Sequence, residues 1–348
     1  MASATIELPQ FKGHPGWEFT DLSDLQLGDY TAAPLSREGG AGALWHFDAP
    51  QLPSGVQVTV AGDEAVITVG RGVVCEQPLS LTGVQAQSGT LVNQHTRIVL
   101  EEGAQAEIWE QSLSGSAEVD GIFNMTTEVV VGDNAHLRYV CGQSLSERSW
   151  VFGTQRATVG RDGSLDWVAL GFGSRSGHVL METRLAGEGA DARVTGAYAT
   201  HGRQHIDFDT TQEHAAPNTT SDLAFRGVLQ GRSSAVWKGN IIVDPGAQKT
   251  DAFQESRNLL ISKRAHADAI PGLEIQANDV RCTHAAAVAQ VDPEQLFYLR
   301  SRGLREDVAK QLVIEGFLAA LVERFEQGPV RDVLADVLEQ RLALVLAG

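Results

Sequence analysis

The chain has 348 residues, enough to bury a large core, and that length suggests two domains unless the fold is an elongated all-β one. Hydrophobic residues make up 43%, which excludes a disordered chain, and no apolar run approaches the ~18 residues of a membrane-spanning helix. A net charge of −17 repels phosphate backbones, so nucleic-acid binding and membrane insertion are both set aside in favour of protein partners.

Three segments follow in chain order. Residues 1–54 are mixed in pattern. Met1 to Gln10 carry neither a basic start nor an apolar core, so they do not read as a secretion signal, and the expected compartment is the cytoplasm. Residues 55–291 are short alternating runs such as Val56-Gln57-Val58-Thr59-Val60 and Ala65-Val66-Ile67-Thr68-Val69. Period-2 alternation rich in β-branched residues predicts strands. Similar turns punctuate them at Gly103, Gly132, Gly160 and Gly187, spaced 29, 28 and 27 residues apart. A turn-plus-strand unit recurring at that interval is a solenoid pattern, in which each coil buries its inner face only by stacking on the next. A β-sandwich with coincident turn spacing satisfies the same runs.

Residues 292–348 change to helical pattern. Asp292 suits an N-cap, Pro293 the first helical position and Gln295 the third, and Gly303 suits a left-handed stop. A second helix is predicted with Ala309, Leu312, Val313, Gly316, Phe317, Ala320 and Leu321 on one apolar face. Gly328-Pro329 ends it, and a third helix is predicted over 330–345. The helical faces are expected to pack on one another and on the solenoid's end.

The chemistry-bearing residues are few. Cys75, Cys141 and Cys282 are odd in number and widely spaced, which argues against a disulfide framework or a self-contained zinc site. Cys282 and His284 are two apart, so on a strand both face one side. Zinc and iron–sulfur clusters usually take four ligands, so two make either a half-site completed by another chain or a buried cysteine beside a hydrogen-bonded histidine. Cys141 sits among apolar residues and reads as a buried thiol; Cys75 and Cys141 are the alternative sulfur acceptors. His201, His205, Asp207, Asp209 and His214 have ligand-like spacing, but also suit polar ladders and turn caps. Asp207 and Asp209 are the only pair that would serve a β-helix carbohydrate-active enzyme, one alternative reading; a purely structural solenoid, in which Cys282 is only core, is another. No Gly-x-x-x-x-Gly-Lys-Ser/Thr, Gly-x-Ser-x-Gly or His-Glu-x-x-His occurs, so ATP chemistry must come from a partner.

Several stretches together carry a resemblance. They are Trp17-Glu18-Phe19-Thr20-Asp21-Leu22, His201 to Asp207, His214-Ala215-Ala216-Pro217, Lys238 to Val243, Gln254 to Ser262 and Pro271 to Ile275. The most specific is Arg281-Cys282-Thr283-His284-Ala285-Ala286-Ala287 followed by Asp292-Pro293-Glu294-Gln295-Leu296-Phe297-Tyr298-Leu299-Arg300-Ser301-Arg302-Gly303. In this order, from about residue 17 to 325, they resemble the SufB/SufD family of SUF-system iron–sulfur cluster assembly scaffolds. Thr283, where SufB typically has glutamate, favours the SufD type, as does the poor match to SufB's region for an extra acceptor cysteine. Ala285-Ala286-Ala287 departs from the family's Gly-Ala-Thr.

The resemblance implies a mainly β protein, a right-handed parallel β-helix with a C-terminal α-helical region; the short N-terminal segment before it departs from the family, whose members usually carry a longer one. It implies a non-catalytic scaffold subunit in which Cys282 and His284 meet a partner and share a transient iron–sulfur cluster or iron, none of it tightly held by the isolated chain. The implied partners are a SufB-like paralogue or a second copy, and a SufC-like ATPase docking on 292–348. Asp292, Leu296, Phe297, Tyr298, Arg302 and Phe317 are the residues expected to serve that docking.

Overall fold

The computed structural model describes residues 16–36, 43–48 and 52–325, together with 331, 332, 335 and 338. The first strands are β1 (Thr31–Ala32), β2 (Leu35–Ser36), β3 (Ala43–Asp48), β4 (Val56–Ala61), β5 (Glu64–Val69) and β6 (Leu79–Gln85). Next come β7 (Thr90–Leu100), β8 (Gln105–Ser114), β9 (Gly121–Val131), β10 (His136–Ser144), β11 (Trp150–Val159), β12 (Ser164–Gly171) and β13 (Ser176–Leu185). The last are β14 (Asp191–Thr200), β15 (His205–His214), β16 (Thr220–Leu229), β17 (Ser234–Val243), β18 (Asp251–Leu260), β19 (His266–Ile275) and β20 (Arg281–Gln290).

From β5 onward the odd-numbered strands form one sheet and the even-numbered strands the other. From β7 onward each pairs in parallel with the strand two before it. The chain is therefore a flattened parallel β-solenoid. In-register partners lie from 26 residues apart (Trp150 and Ser176) to 32 apart (Ser234 and His266), which brackets the glycine spacing in the sequence. Antiparallel pairs occur only at the first end among the described residues, β3 with β6 and β4 with β5.

Alternation sets what is buried. On β8, Ala106, Ile108, Glu110 and Ser112 face inward, while Glu107 and Gln111 do not. The inward columns of the two sheets meet as one core containing Ile67, Ile98, Ile108, Leu137 and Trp167. Tyr198, Phe208, Phe225 and Trp237 continue it, with successive ring centroids 5.7, 5.4 and 6.3 Å apart. The bore is thus packed with side chains.

Three of the four recurrent glycines, Gly132, Gly160 and Gly187, act through close approach, whereas Gly103 takes φ +70°. A Cβ on Gly187 would lie 2.0 Å from Arg161 N and 2.4 Å from Gly160 C, so the coil below leaves no room for any side chain. The stacking of coils at the ~4.8 Å strand spacing requires the small residue there.

Outside the bore, residues 17–33 cross the outer face of the odd-numbered sheet. Leu25 packs there with Ile122, Trp150 and Phe152, and Trp17 and Leu22 join them. At the other end, among the described residues, β19 and β20 have strand partners on one side only, β17 and β18. Two helices follow, α1 (Pro293–Ser301) and α2 (Glu306–Val322). Asp292 caps α1 by accepting from Glu294 N at 2.9 Å, and Gly303 takes φ +92° after it.

The helices do not close the solenoid's end, contrary to the sequence expectation. Ile314, Leu318 and Leu321 of α2, with Phe325 and Leu338, pack on the outer face of the even-numbered sheet against Val140, Val168, Ala197, Ala224 and Val228. The buried face overlaps the expected one in part: Ala309 and Leu321 are buried and Val313, Phe317 and Ala320 half-buried as expected, but Leu312 and Gly316 are exposed and Ile314 and Leu318 are buried in their place. α2 is apolar nearly all round, so its own pattern does not single out one stripe, and the sheet's apolar outer column selects it. The third predicted helix falls mostly outside the described residues; Arg331, Asp332, Ala335 and Leu338 are helical.

The stacked glycines make a direct prediction. Gly187→Ala destabilises the chain by about 1–3 kcal/mol, as overpacking does. Gly246→Ala, where an added Cβ meets nothing within 4 Å, changes stability by under about 0.5 kcal/mol. Urea denaturation of the two variants checks this difference.

Candidate functional site at the last coil

β20 is the final strand of the even-numbered sheet, and it carries Cys282 and His284. Register places Cys282 beside Ala252 and His284 beside Gln254 of β18. Gln254 is fully buried, and its Nε2 reaches across the bore to donate to Gly239 O at 3.3 Å and Gly272 O at 3.0 Å. This column therefore points into the bore, and Cys282 and His284 extend it to the solenoid's open mouth.

The thiol is half-buried against Ile241, Val243, Ala252 and Ala277, whereas His284 is exposed. Burial raises the Cys282 pKa, and the nearby charge of Asp251 raises it further. The thiol is thus mainly protonated at neutral pH until a cation displaces its proton. Ala285 lies in extended strand and is not among the positive-φ residues, so alanine takes the family glycine's place without backbone strain. Among the described residues no three His, Cys, Asp or Glu side chains stand close enough to hold a metal ion. Cys282 and His284 are two donors on one face with no third donor beside them.

The other cysteines sit in the core. Trp167 Nε1 donates to Cys141 Sγ at 3.2 Å, and burial pushes that thiol's pKa up to about 12. Beside it, Glu110 is fully buried and accepts from Gln94, Thr96, Tyr139 and Thr127; burial raises its pKa. Cys75 is buried, with its pKa raised for the same reason.

The histidine–aspartate set does not converge. His205, Asp207 and Asp209 alternate along the outer face of β15, but each has a separate partner. Thr20 Oγ1 donates to Asp207 Oδ2 at 2.8 Å, and His178 Nδ1 lies 3.1 Å from the same oxygen. Asp209 pairs with Lys238 at 3.1 Å, and His205 Nδ1 is 2.8 Å from Ser234 Oγ. His201 pairs with Glu147 at 2.8 Å. His214 is buried between Thr219 and Ser221 at 2.8 and 2.9 Å. The Asp207–Asp209 pair suggested for a carbohydrate enzyme is thus engaged by Thr20, His178 and Lys238.

Around the helical hairpin, α1 has no buried residue, and Phe297 and Tyr298 are 74% and 57% exposed. Leu296 is half-buried, and the Arg302 guanidinium lies 5.2 Å from the Tyr298 ring centroid. Phe317 is half-buried under Arg226, 5.0 Å from its ring, and Arg226 also donates to Phe317 O at 3.0 Å. Gln254 was missed in the sequence; its position 30 residues, one coil, before His284 was the available signal.

These features define a class: an open-ended parallel β-solenoid that presents a sulfur and a nitrogen donor at its last coil, beside an exposed helical hairpin. The family model described as "SUF system FeS cluster assembly, SufBD core domain" matches residues 83–317. The chain is 34% identical over 281 residues to the iron–sulfur cluster assembly protein SufD of Bacillus subtilis, covering 80% of this chain and 64% of that protein. It is 31% identical over 305 residues to SufD of Escherichia coli, covering 83% and 71%. It is 30% identical over 287 residues to an iron–sulfur cluster assembly SufBD family protein of Mycobacterium tuberculosis, covering 80% and 71%. The chain thus spans just under two thirds of the Bacillus relative. It belongs to the SufB/SufD family and is close to SufD.

Two predictions come from the site and its surroundings. In the native chain iodoacetamide alkylates Cys282 first, faster as pH rises toward 9, while Cys75 and Cys141 react only after unfolding; mass spectrometry of digests reads this order. His214 is held neutral, its pKa lowered to about 4 by burial. Its depressed folded-state value means that the unfolded chain binds the proton first. The stability it contributes is complete above pH 6.5 and is lost as pH falls through about 4, by about 3 kcal/mol in all. Denaturant midpoints measured from pH 7 to 4 therefore fall more steeply for the wild type than for His214→Gln.

Proposed function

We propose that this chain is a SufD-like scaffold subunit on which nascent iron–sulfur clusters are assembled with a SufB-like paralogue and a SufC-like ATPase. The observation that carries this reading is the unclosed last coil. Among the described residues β19 and β20 pair with a strand on one side only, and Cys282 and His284 stand at the mouth between them. A partner solenoid with a similar open coil would pair with them on the other side and bring the missing ligands. A SufB-like paralogue fits this requirement, and so does a second copy of the chain.

In this reading the cluster is cargo. Iron displaces the Cys282 proton, the thiolate and the neutral His284 imidazole donate from one side, and the partner donates from the other. Two donors on this chain favour release, because the site comes apart when the interface does. No cluster is held tightly by the chain alone. The chain supplies ligands and shape rather than catalysis, and works in the cytoplasm, where thiols stay reduced.

The ATPase docks on the region 292–348. Phe297 and Tyr298 offer it exposed aromatic surface, Asp292 holds α1 in its helical start, and Leu296 and Arg302 set the hairpin's shape. Phe317 acts by anchoring α2 to the sheet through Arg226. Movement of the hairpin on ATP turnover would then be passed to the strand it follows, β20.

In cells that depend on this chain, His284→Ala lowers the activity of an iron–sulfur enzyme by about tenfold or more, as loss of a metal-linked group does. The exposed position makes the stability cost under about 0.5 kcal/mol. Enzyme assays in complemented cells alongside thermal unfolding measure both. Full maturation with His284→Ala would overturn the half-site reading.

A further inference from the structure

One corner of the solenoid carries a basic residue in coil after coil. Trp150, Ser176, His205, Ser234 and His266 stack in register at the starts of the odd-numbered strands. Arg148, Arg203, Arg232 and Arg264 each stand two residues before a member of that column, and Arg175 and Lys263 flank it. All of these cations are exposed. The turns that hold them are themselves stacked: Arg232 N donates to Gly202 O at 2.7 Å, and Ser262 Oγ to Gly231 O at 2.6 Å. Arg203, Arg232 and Arg264 therefore form a line on successive coils, at about the ~4.8 Å strand spacing.

Elsewhere the chain neutralises such neighbours. At the same corner Arg148 pairs with Glu118 at 2.7 Å and Arg175 with Asp24 at 2.5 Å. On the outer face of the even-numbered sheet charge alternates from coil to coil, through Glu107, Arg138, Asp166 and Arg193. Arg203, Arg232, Lys263 and Arg264 break this habit, since among the described residues none of them makes an ion pair. Glu147 of the same corner is taken by His201, and Asp268 by His266. Like charges on adjacent strands repel, so the line is unfavourable in the isolated chain and an acidic partner relieves it.

We propose that the corner formed by Arg203, Arg232, Lys263 and Arg264 is a docking edge for an acidic helix of a partner protein. Carboxylates at i and i+4 of a helix have Cβ atoms ~5–6 Å apart, close to the rise from one coil to the next. Successive glutamates on one helix face then meet successive coils, and guanidinium groups hold carboxylates in paired hydrogen bonds. A nucleic acid fits this edge less well. Its binding sums over many phosphates, and a line of two coil spacings, ~10 Å, reaches few of them. The rest of a chain of net charge −17 repels the others. The inference lies outside the cluster-assembly reading and does not rest on Cys282 or His284.

The test uses the full-length chain and a labelled helical peptide with glutamate at every fourth position and alanine and glutamine between. Fluorescence anisotropy at low salt reads its binding. Changing Arg203→Gln, Arg232→Gln and Arg264→Gln together is expected to weaken binding about tenfold, as loss of three exposed ion pairs does. Changing Arg71→Gln, Arg97→Gln and Arg161→Gln together alters net charge equally, but at sites away from this corner, and is expected to cost at most about twofold. A peptide of the same composition, with its glutamates spread round the helix, is expected to bind more weakly than the one-faced peptide. The first triple variant is also expected to unfold no earlier than the wild type in thermal unfolding, since it removes repulsion.

Absence of peptide binding by the wild type overturns the proposal. So do equal losses in the two triple variants, or equal affinity for the two peptides, because then only net charge matters. Tighter binding of a DNA duplex or of phosphatidylserine vesicles, lost in the first triple variant, assigns the edge to phosphates and overturns it as well.

Discussion

Parallel, in-register stacking of coils is the constraint on which the rest of this structure depends. Every coil meets its backbone hydrogen-bonding needs through the coils above and below it. A residue that faces the bore in one coil therefore sits on a residue that faces the bore in the next. The pairs Ala252–Cys282 and Gln254–His284 are two instances of that rule. The same rule explains why glycine recurs at the turns, since Gly187 lies against the Arg161 backbone of its neighbouring coil.

A stack of this kind must end, and its two ends differ. At the first end β4 turns back antiparallel on β5, and β3 on β6. At the last end the strands run in parallel to the edge, and α2 turns away to the flank of the even-numbered sheet. There the outer column of Val140, Val168, Ala197, Ala224 and Val228 gives Ile314 and Leu318 an apolar surface to cover. The mouth is left with a thiol and an imidazole whose inner neighbours are buried and whose outer sides are free. Chemistry that needs a second chain suits such a place better than chemistry that needs an enclosed pocket.

Elsewhere, polar residues inside and around the solenoid serve the stack. Glu110 is surrounded by four donors in the core, and Asp207 is covered by Thr20 and His178. These groups have the residue types of active sites, but each is already engaged by partners that hold coils or the N-terminal segment together. Removing one partner would leave the other buried and unmet. The Trp17–Leu22 motif is therefore legible as a clasp: the Trp17 ring lies tilted against His178, centroids 4.6 Å apart, while Thr20 reaches Asp207.

What the sequence by itself determined was local and periodic. Glycines at near-constant spacing marked the solenoid, alternation marked the inward columns, and Asp292 and Gly303 marked the limits of the first helix. Cys282 and His284, two apart on a strand, had to share a face. Tertiary structure decided what lies against those faces. α2 is apolar on nearly every side, so only the sheet beneath it selected Ile314 and Leu318 over Leu312. His205, Asp207 and Asp209 looked like ligands because spacing shows which side chains share a side, not that Thr20, 187 residues away from Asp207, already occupies one of them. Gln254 opens one of the stretches that carry the resemblance and lies one coil before His284, but neither fact shows what it touches. Its place under His284 exists only once two coils are stacked, because periodicity fixes direction along one strand while contact is fixed by the neighbouring one.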